Sequence, residues 1–258
     1  MRRATALVLA LLAVLVSPAG GTVGASSAGD PATSLMTQIN RERTARGLVP
    51  FAVDSRLWAI AKGRATRLAT YEVLSHSAAG SIPDDLATHE VRWSGYGEVI
   101  GYASGSPGDA GPTILQMWLA SPDHWPLLLS ARYNYVGVGI AYRASSGLSY
   151  ASVVLTESPD RTGAGASVTG ALVFGNAIRW SWRGSDPPLQ THTAGLRDFT
   201  LQLRTDHGPW VTIARAVTAT ARTTPNLAHG HWYGLRVRAS DRVGNVGPWS
   251  RERRVWLP

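Results

Sequence analysis

The hydrophobic pattern of the chain changes once, close to residue 159, and this change constrains the fold more than any other feature. Before it, apolar residues recur with the spacing of amphipathic helices; after it, they form only short alternating runs. Residues 159–171 begin with a proline- and glycine-containing stretch that predicts a linker. A length of 258 residues suits two domains. We therefore predict one domain at residues 34–158 and another at residues 172–258.

Three helices and a small sheet are predicted in the first domain. The helices cover, approximately, residues 35–46, 55–73 and 112–121. Residues 78–111 are rich in turn residues, and we predict them to be irregular apart from a short strand at residues 97–102. Two further strands, at residues 135–143 and 148–156, have the spacing of an antiparallel hairpin. The first domain is thus predicted to be α+β.

The second domain is predicted to be an all-β sandwich, because no helical pattern occurs in it. Short alternating runs predict strands at residues 177–182, 198–204, 210–214, 218–222 and 233–239. In the last run, apolar residues from Tyr233 to Ala239 alternate with residues such as Arg236 and Arg238. This alternation places one set of side chains in a core and the other in solvent.

The N-terminus has the pattern of an export signal. Arg2 and Arg3 precede an apolar run at residues 4–16, and small residues follow as far as Ala25. We predict a signal peptide at residues 1–25, with an uncleaved anchor as the alternative, and a flexible lead-in at residues 26–33. No later apolar run is long enough to span a membrane. The mature protein is therefore expected to be soluble and secreted, in the extracellular space or the cell envelope.

Composition excludes one class of chemistry and suggests one class of partner. The sequence contains no cysteine, which excludes disulfides and thiol catalysis. Residues 159–258 carry 13 arginines against 6 acidic residues, a net charge of +7. Such a surface, with Arg236 and Arg238 on one strand face, is either solvated or contacts a cell-wall polymer or another polyanion. Nucleic acid is not expected as a partner of an exported chain.

Three polar residues from separate segments are candidates for a functional site. His76 follows the second predicted helix, Glu98 lies in the short strand, and His124 follows Pro122. Two imidazoles and a carboxylate can bind zinc or another divalent cation and leave a fourth position for water. Alternatively, the three side chains hydrogen-bond to one another and hold their segments together. No motif for an organic cofactor, a nucleophilic serine or a zinc-protease helix is present.

Residues 34–157 also contain five short motifs in a recognisable order. They are Ile39-Asn40-Arg41-Glu42-Arg43 with Gly47-Leu48, Leu74-Ser75-His76-Ser77, Gly97-Glu98-Val99-Ile100, Trp118 through Ser121-Pro122-Asp123-His124, and Val136-Gly137-Val138-Gly139. In these motifs the first half resembles the CAP superfamily of cysteine-rich secretory, antigen 5 and pathogenesis-related 1 proteins, in particular its bacterial branch.

This resemblance implies an α-β-α sandwich with a central antiparallel sheet. It also implies a groove, lined by two histidines and acidic residues, that binds zinc or another divalent ion in some members. Carried over by motif, His76, Glu98 and His124 are the groove residues and the metal ligands. Ser121 stands where many animal and plant members have a second glutamate, and Val99 where the motif has asparagine. The polar cluster is therefore reduced.

The second half resembles a fibronectin type III domain. Trp180 corresponds to the buried tryptophan of the second strand, and residues 233–239 with Asp241 and Gly244-Asn245 correspond to a late strand and its turn. Such domains mostly act as spacers or adhesion modules rather than catalysts.

Together these features predict a secreted bacterial protein that binds or interacts with an extracellular ligand, with a divalent-metal groove. The alternative is a metal-dependent hydrolase of peptide or cell-wall material, with His76, Glu98 and His124 as candidate catalytic residues. The absence of a second acid and of a nucleophile motif favours the binding protein.

Overall fold

A computed structural model describes residues 29–258. The predicted signal peptide, residues 1–25, lies outside the described residues. The predicted lead-in is too long, because the first helix already begins at Pro31. Asp30 caps this helix by accepting a hydrogen bond from the Thr33 amide at 3.0 Å, and proline is well tolerated in a first helical turn.

The first domain contains five helices and four strands. The helices are α1 (Pro31–Ala45), α2 (Ser55–Tyr71), α3 (Ile82–Thr88), α4 (Pro107–Ala120) and α5 (Trp125–Leu128). The strands are β1 (Ala52–Val53), β2 (Gly95–Ser104), β3 (Tyr135–Arg143) and β4 (Leu148–Glu157). They form one sheet in the order β1-β3-β4-β2, antiparallel except for the short β1–β3 pair.

Helices cover both faces of this sheet. On one face α1 and α4 bury a core that includes Trp118, Val136 and Val153. On the other face α2 and α3 enclose a second core with Leu57 and Tyr135. Successive strand residues point to opposite faces, so each strand contributes to both cores. The α+β class and the predicted three-layer arrangement are confirmed.

Two glycines of β3 allow α2 to lie directly on the sheet. A Cβ atom on Gly137 would lie 2.0 Å from the backbone carbon of Leu57, and one on Gly139 would lie 2.3 Å from the carbonyl oxygen of Ala61. Because no side chain fits there, the backbones of strand and helix are in contact.

The strand predicted at residues 97–102 is present and is longer than predicted, but the prediction that the rest of residues 78–111 is irregular is wrong. They contain α3, all of β2 and the start of α4. The prolines at 83 and 107 suggested turns, but each lies in the first turn of a helix, where its missing amide hydrogen costs nothing. Ser81 caps α3, and Asp84 and Asp85 occupy its first turn, a favourable position for negative charge.

The second domain is a sandwich of two sheets. Its strands are β5 (Gly165–Phe174), β6 (Ala177–Ser185), β7 (Leu196–Thr205), β8 (Val211–Val217), β9 (Ala221–Thr224), β10 (His231–Asp241) and β11 (Arg253–Leu257). One sheet has the order β5-β6-β9 and the other β11-β10-β7-β8. Trp180 and Phe199 are buried between them. The all-β sandwich predicted for this half is confirmed.

The predicted linker at residues 159–171 is too long, because β5 begins at Gly165. Ala166, Val168 and Ala171 pack against the core of the second domain. Small residues and glycines in this stretch suggested a linker, yet its alternating apolar positions are those of an edge strand. Strand β11 is likewise absent from the sequence-based prediction, since it follows several turn residues.

The two domains contact each other. Arg161 forms an ion pair with Asp54 at 2.5 Å, and the Gln190 side chain donates to the Val49 carbonyl at 2.6 Å. Leu189, from the second domain, packs with the core of the first domain beneath α2. Among residues 29–258, no helix has the length and apolar character needed to cross a membrane.

Candidate functional site

The candidate site lies along β2, which is an edge strand of the first domain's sheet. Two carbonyl groups of this strand, those of Tyr96 and Ile100, accept hydrogen bonds from the side chains of Tyr133 and Trp118. These bonds occupy part of the open edge, which would otherwise offer unpaired backbone groups. Side chains on both sides of β2 then line the surrounding groove.

Glu98 is almost completely buried, with 1% of its side chain exposed. Its carboxylate accepts two hydrogen bonds from Arg64, Nε to Oε1 at 2.5 Å and Nη2 to Oε2 at 2.9 Å. The Ser152 hydroxyl donates to Oε1 at 2.7 Å, and His76 Nδ1 donates to Oε2 at 2.7 Å. Both carboxylate oxygens are therefore engaged by donors from three other segments.

Burial alone would raise the pKa of Glu98. The hydrogen bonds from Arg64, His76 and Ser152, together with the charge of Arg64, outweigh burial and hold the pKa below its usual value. Glu98 is consequently ionised at neutral pH. It cannot act as a general acid there, and its lone pairs are already used.

Arg64 connects this carboxylate to the loop that carries His76. Its side chain is fully buried and, besides Glu98, donates to the carbonyl groups of His76, Ala79 and Gly80. It also forms an ion pair with Asp85 at 3.1 Å. The guanidinium group thus positions the 76–80 loop against β2.

His76 lies at the rim of the groove, with 59% of its side chain exposed. Because Nδ1 donates to Glu98, the neutral imidazole has its lone pair on Nε2, which is free to accept a hydrogen bond or bind a metal. The prediction that the three candidate residues hydrogen-bond together is correct for this pair.

His124 lies apart from that pair. Its Nδ1 is 2.7 Å from the hydroxyl oxygen of Ser121, three residues earlier, at the turn between α4 and α5. Such a short-range bond is common where a serine closes a helix and a turn follows. The imidazole therefore depends on its own turn and not on Glu98 for its orientation.

The two histidines line neighbouring cavities. One, of about 370 Å³, is lined by His76, Ser77 and Tyr96 with the start of α3. The other, of about 410 Å³, is more apolar and is lined by His124 together with Leu74, Ile100, Gly101, Tyr102, Met117, Trp118 and Ser121. Both border β2 and the loop after α2, and we refer to the two cavities together as the groove.

These residues do not fit a three-ligand zinc site as they stand. Within residues 29–258, the one group of three or more histidine or acidic side chains whose ligand atoms lie within 4.8 Å of one another is elsewhere in the molecule. Glu98 has no free lone pair directed into the groove. His76 and His124 remain as donors, and metal binding by this groove stays a prediction.

Sequence analysis overlooked Arg64, although a signal was present. Leu57, Ala61, Ala65 and Leu68 form the buried stripe of α2, and Arg64 falls at the same helical spacing. A charged residue at such a position is buried only when it has a partner. The arginine on the apolar stripe thus indicated a buried carboxylate nearby.

The second domain carries a different candidate surface, on the outer face of the β11-β10-β7-β8 sheet. Here arginine and tryptophan side chains alternate, in the order Arg204, Trp210, Arg236, Trp249 and Arg238. Each guanidinium carbon lies 4.4–4.7 Å from the centre of the neighbouring ring. Cation–π contacts of this kind hold the arginines in place. We call these five residues the arginine–tryptophan face.

Positive charge on this face is only partly compensated. Glu252 pairs with Arg204, whereas Arg236 donates to the neutral Gln202 side chain at 2.7 and 2.9 Å. Arg238 forms no ion pair with any residue in the described part of the chain. Partial burial and then the nearby charges of Arg204 and Arg238 lower the pKa of Arg236.

No curated protein matches the chain. Solved structures that resemble it include an outer surface protein from Borrelia burgdorferi, which is 17% identical over 50% of this chain and 92% of its own, with a TM-score of 0.44. An extracellular protein containing an SCP domain from Bacillus anthracis is 21% identical over 49% of this chain and 40% of its own, with a TM-score of 0.43.

The second domain has its own neighbours. A fibronectin III-like protein from Clostridium thermocellum is 21% identical over 38% of this chain and 96% of its own, with a TM-score of 0.29.

The first domain is also matched by a family model. Residues 36–155 match the cysteine-rich secretory protein family, CAP. This range contains all five predicted motifs and all three candidate site residues, and it ends within β4. Residues 36–155 of this chain are therefore a CAP domain.

Proposed function

We propose that this protein is secreted and that its CAP domain binds an extracellular ligand in the groove along β2, without catalysing its hydrolysis. The state of Glu98 carries this proposal. Its carboxylate is ionised, buried and bonded to Arg64, Ser152 and His76. It therefore has neither a proton to give nor a lone pair for a metal or water, and the groove lacks a working acid or base at that position.

The two parts of the groove favour a ligand with both polar and apolar portions. The lining beside His76 is more polar than the lining beside His124, where the side chains of Leu74, Tyr102 and Met117 are each more than 40% exposed. Exposed apolar residues around a concave site are typical of small-ligand pockets.

The arginine–tryptophan face gives the second domain a role in attachment to a cell-wall polymer or another polyanion. Three arginines are held side by side, and only Arg204 has an acidic partner among the described residues. A phosphate- or carboxylate-bearing polymer would neutralise Arg236 and Arg238 and relieve their mutual repulsion.

Binding to cell-wall sacculi, with and without their teichoic acid, tests both the groove and the arginine–tryptophan face. Met117→Gln should weaken only the part of the retention that depends on the groove. Arg238→Glu should reduce teichoic-acid-dependent retention and its dependence on salt, while Arg222→Glu, an exposed arginine on the other sheet, serves as the control. Salt-independent retention, equal in all variants, would contradict attachment by charge.

A hydrolase is the second candidate function, since Ser121 and His124 are within hydrogen-bonding distance at 2.7 Å. A nucleophile and a base in contact are the start of such a site. Hydrolysis of peptides and peptidoglycan by wild type, Ser121→Ala and Glu98→Ala decides the matter. Turnover that is absent, or equal in all three proteins, supports binding; turnover lost in either variant supports the hydrolase.

Metal binding by the groove is tested separately, by zinc calorimetry on the mature protein. A groove site requires zinc binding that His76→Ala and His124→Ala abolish. Zinc binding that survives both substitutions, or no binding, would exclude it.

A further inference from the structure

Three aspartates meet where the first domain joins the second. Asp160 lies between β4 and β5, Asp186 directly after β6, and Asp241 is the last residue of β10. Each offers a carboxylate oxygen, and these oxygens all lie within 4.8 Å of one another. Three segments that are distant in sequence thus bring three negative charges together.

Two of the three aspartates are buried, Asp186 is partly exposed, and none has a basic partner among the described residues. Asp241 is 0% and Asp160 is 8% exposed. In the part of the chain that the structure describes, none of the three carboxylates forms an ion pair with arginine, lysine or histidine. Their other contacts come from neutral donors. Buried charges are normally paired or bound to a metal.

One oxygen in the cluster has no partner of any kind. Asp186 Oδ2 accepts a hydrogen bond from the Gly195 amide at 2.6 Å. Its Oδ1 is completely buried, and no donor of the described residues reaches it. An unbonded, buried carboxylate oxygen beside two other carboxylates is costly unless a cation completes the site.

The remaining hydrogen bonds hold the other two carboxylates in position. Asp160 accepts from the amides of Thr162 and Ala194 at 2.8 Å each. Asp241 accepts from the amides of Val243 and Asn245, and from the Asn245 side chain at 2.7 Å. The carboxylates are therefore oriented before any cation binds, which reduces the entropic cost of binding.

We propose that Asp160, Asp186 and Asp241 form a binding site for a hard divalent cation, calcium by preference, at the junction of the two domains. All three ligands are oxygen atoms, which calcium prefers, whereas zinc prefers nitrogen and sulfur. Two oxygens at about 2.4 Å from a calcium ion can lie up to about 4.8 Å apart, so one ion can reach three oxygens within that spacing. Magnesium would require shorter distances and a stricter octahedron.

Such a cation would join the linker to the second domain. Asp160 is already attached there, because the Asn245 side chain donates to its carbonyl at 3.1 Å. The next residue, Arg161, contacts Asp54 of the CAP domain. Calcium would thus strengthen the junction and limit movement between the domains. The site is independent of the CAP groove and of the function proposed for it.

Calorimetric titration of the mature two-domain protein with calcium chloride, after treatment with EDTA, tests the proposal. We expect saturable binding of one calcium ion and weaker binding of magnesium. Calcium should also raise the thermal unfolding temperature. Asp186→Asn should reduce calcium affinity at least tenfold, whereas Asp84→Asn, an exposed aspartate of α3, should bind like wild type.

Because Asp186→Asn removes a repulsive charge, this variant should fold and be as stable as wild type without calcium. Two results would overturn the proposal. One is the absence of calcium and magnesium binding to wild type, which would mean that the carboxylates share a proton instead. The other is calcium binding that is unchanged by both Asp186→Asn and Asp241→Asn.

Discussion

Carboxylates at two places in this protein differ in how their charge is compensated. In the CAP domain, Glu98 receives two hydrogen bonds from Arg64 and one each from Ser152 and His76. At the domain junction, the aspartates at 160, 186 and 241 have neutral donors only, and one oxygen has none among the described residues. The charge of Glu98 is fully compensated within the chain, so its role is structural. The charge of the three aspartates is not compensated by the described residues, which points to a cation bound from solution.

Replacing Arg64 tests the first half of this comparison most strongly. Arg64→Met leaves Glu98 buried without its counter-ion and removes the bonds to the 76–80 loop. We expect the free energy of unfolding to fall by about 3–5 kcal/mol in urea titrations. Arg67→Met, whose side chain is 37% exposed, should cost less than about 1 kcal/mol.

The double variant Arg64→Met/Glu98→Gln should recover a large part of that loss, because no unpaired charge remains. If it is no more stable than Arg64→Met, the carbonyl groups bonded to Arg64 matter more than the ion pair.

Ser152→Ala removes a neutral donor from the same carboxylate. The hydroxyl is buried, and hydrogen bonds to charged groups contribute about 1.5–3 kcal/mol. Ser149→Ala is a matched control, because its buried hydroxyl donates to the neutral carbonyl of Gly105 at the same distance of 2.7 Å. We expect about 0.5–1.5 kcal/mol there. Equal losses in chemical denaturation would contradict a special role for the charge of Glu98.

Asp54 extends the comparison to a buried carboxylate that links the domains. Burial alone would raise the pKa of Asp54. The hydrogen bonds from Arg56 and the charges of Arg161 and Arg56 outweigh burial and lower the pKa to about 2. Since this value lies below that of the unfolded chain, the stabilisation is complete above about pH 4 and is lost as the pH falls toward 2. The loss amounts to about 2 kcal/mol.

Unfolding free energies at pH 5 and pH 2.5 measure this effect. Asp54→Asn should show a smaller decrease between the two pH values than wild type, whereas Asp123→Asn, exposed and without an ion pair among the described residues, should not. If Asp54→Asn loses as much unfolding free energy between pH 5 and pH 2.5 as wild type does, the Asp54–Arg161 contact contributes little to stability.

His76→Ala should have the smallest effect. Its imidazole is largely exposed, and Glu98 keeps its other donors, so we expect a loss of less than about 1 kcal/mol in thermal unfolding. His231→Ala, which removes an exposed imidazole paired with Asp206, is the matched control. A loss above about 2 kcal/mol for His76→Ala alone would show that the Glu98 cluster depends on the imidazole.

Short motifs predicted the CAP domain, and hydrogen bonding among His76, Glu98 and His124 was one of two alternatives, but the surroundings of Glu98 were not predicted. Motif residues lie close to one another or in a recognisable order, so they can be read along the chain. Arg64 belongs to no motif, and its role depends on α2 lying directly on β3 through Gly137 and Gly139. His124 was expected beside Glu98, but its turn directs it to Ser121.

Proline and glycine mislead local prediction because each is compatible with two kinds of structure. Pro83 and Pro107 begin helices although their surroundings suggested turns. Gly165 begins β5 although the stretch around it suggested a linker. In each case the packing of neighbouring apolar residues against a core decided the structure, and that packing involves residues far away in sequence.

The sequence by itself determined the change from an α+β domain to a β-sandwich, since hydrophobic periodicity is a local property that sets which faces must be buried. It also determined which polar residues are available to each domain. Tertiary structure alone decided how the charges are paired: it placed a buried guanidinium on Glu98 and assembled three aspartates without one. The energy of a buried charge depends on neighbours that only folding brings within a few ångströms.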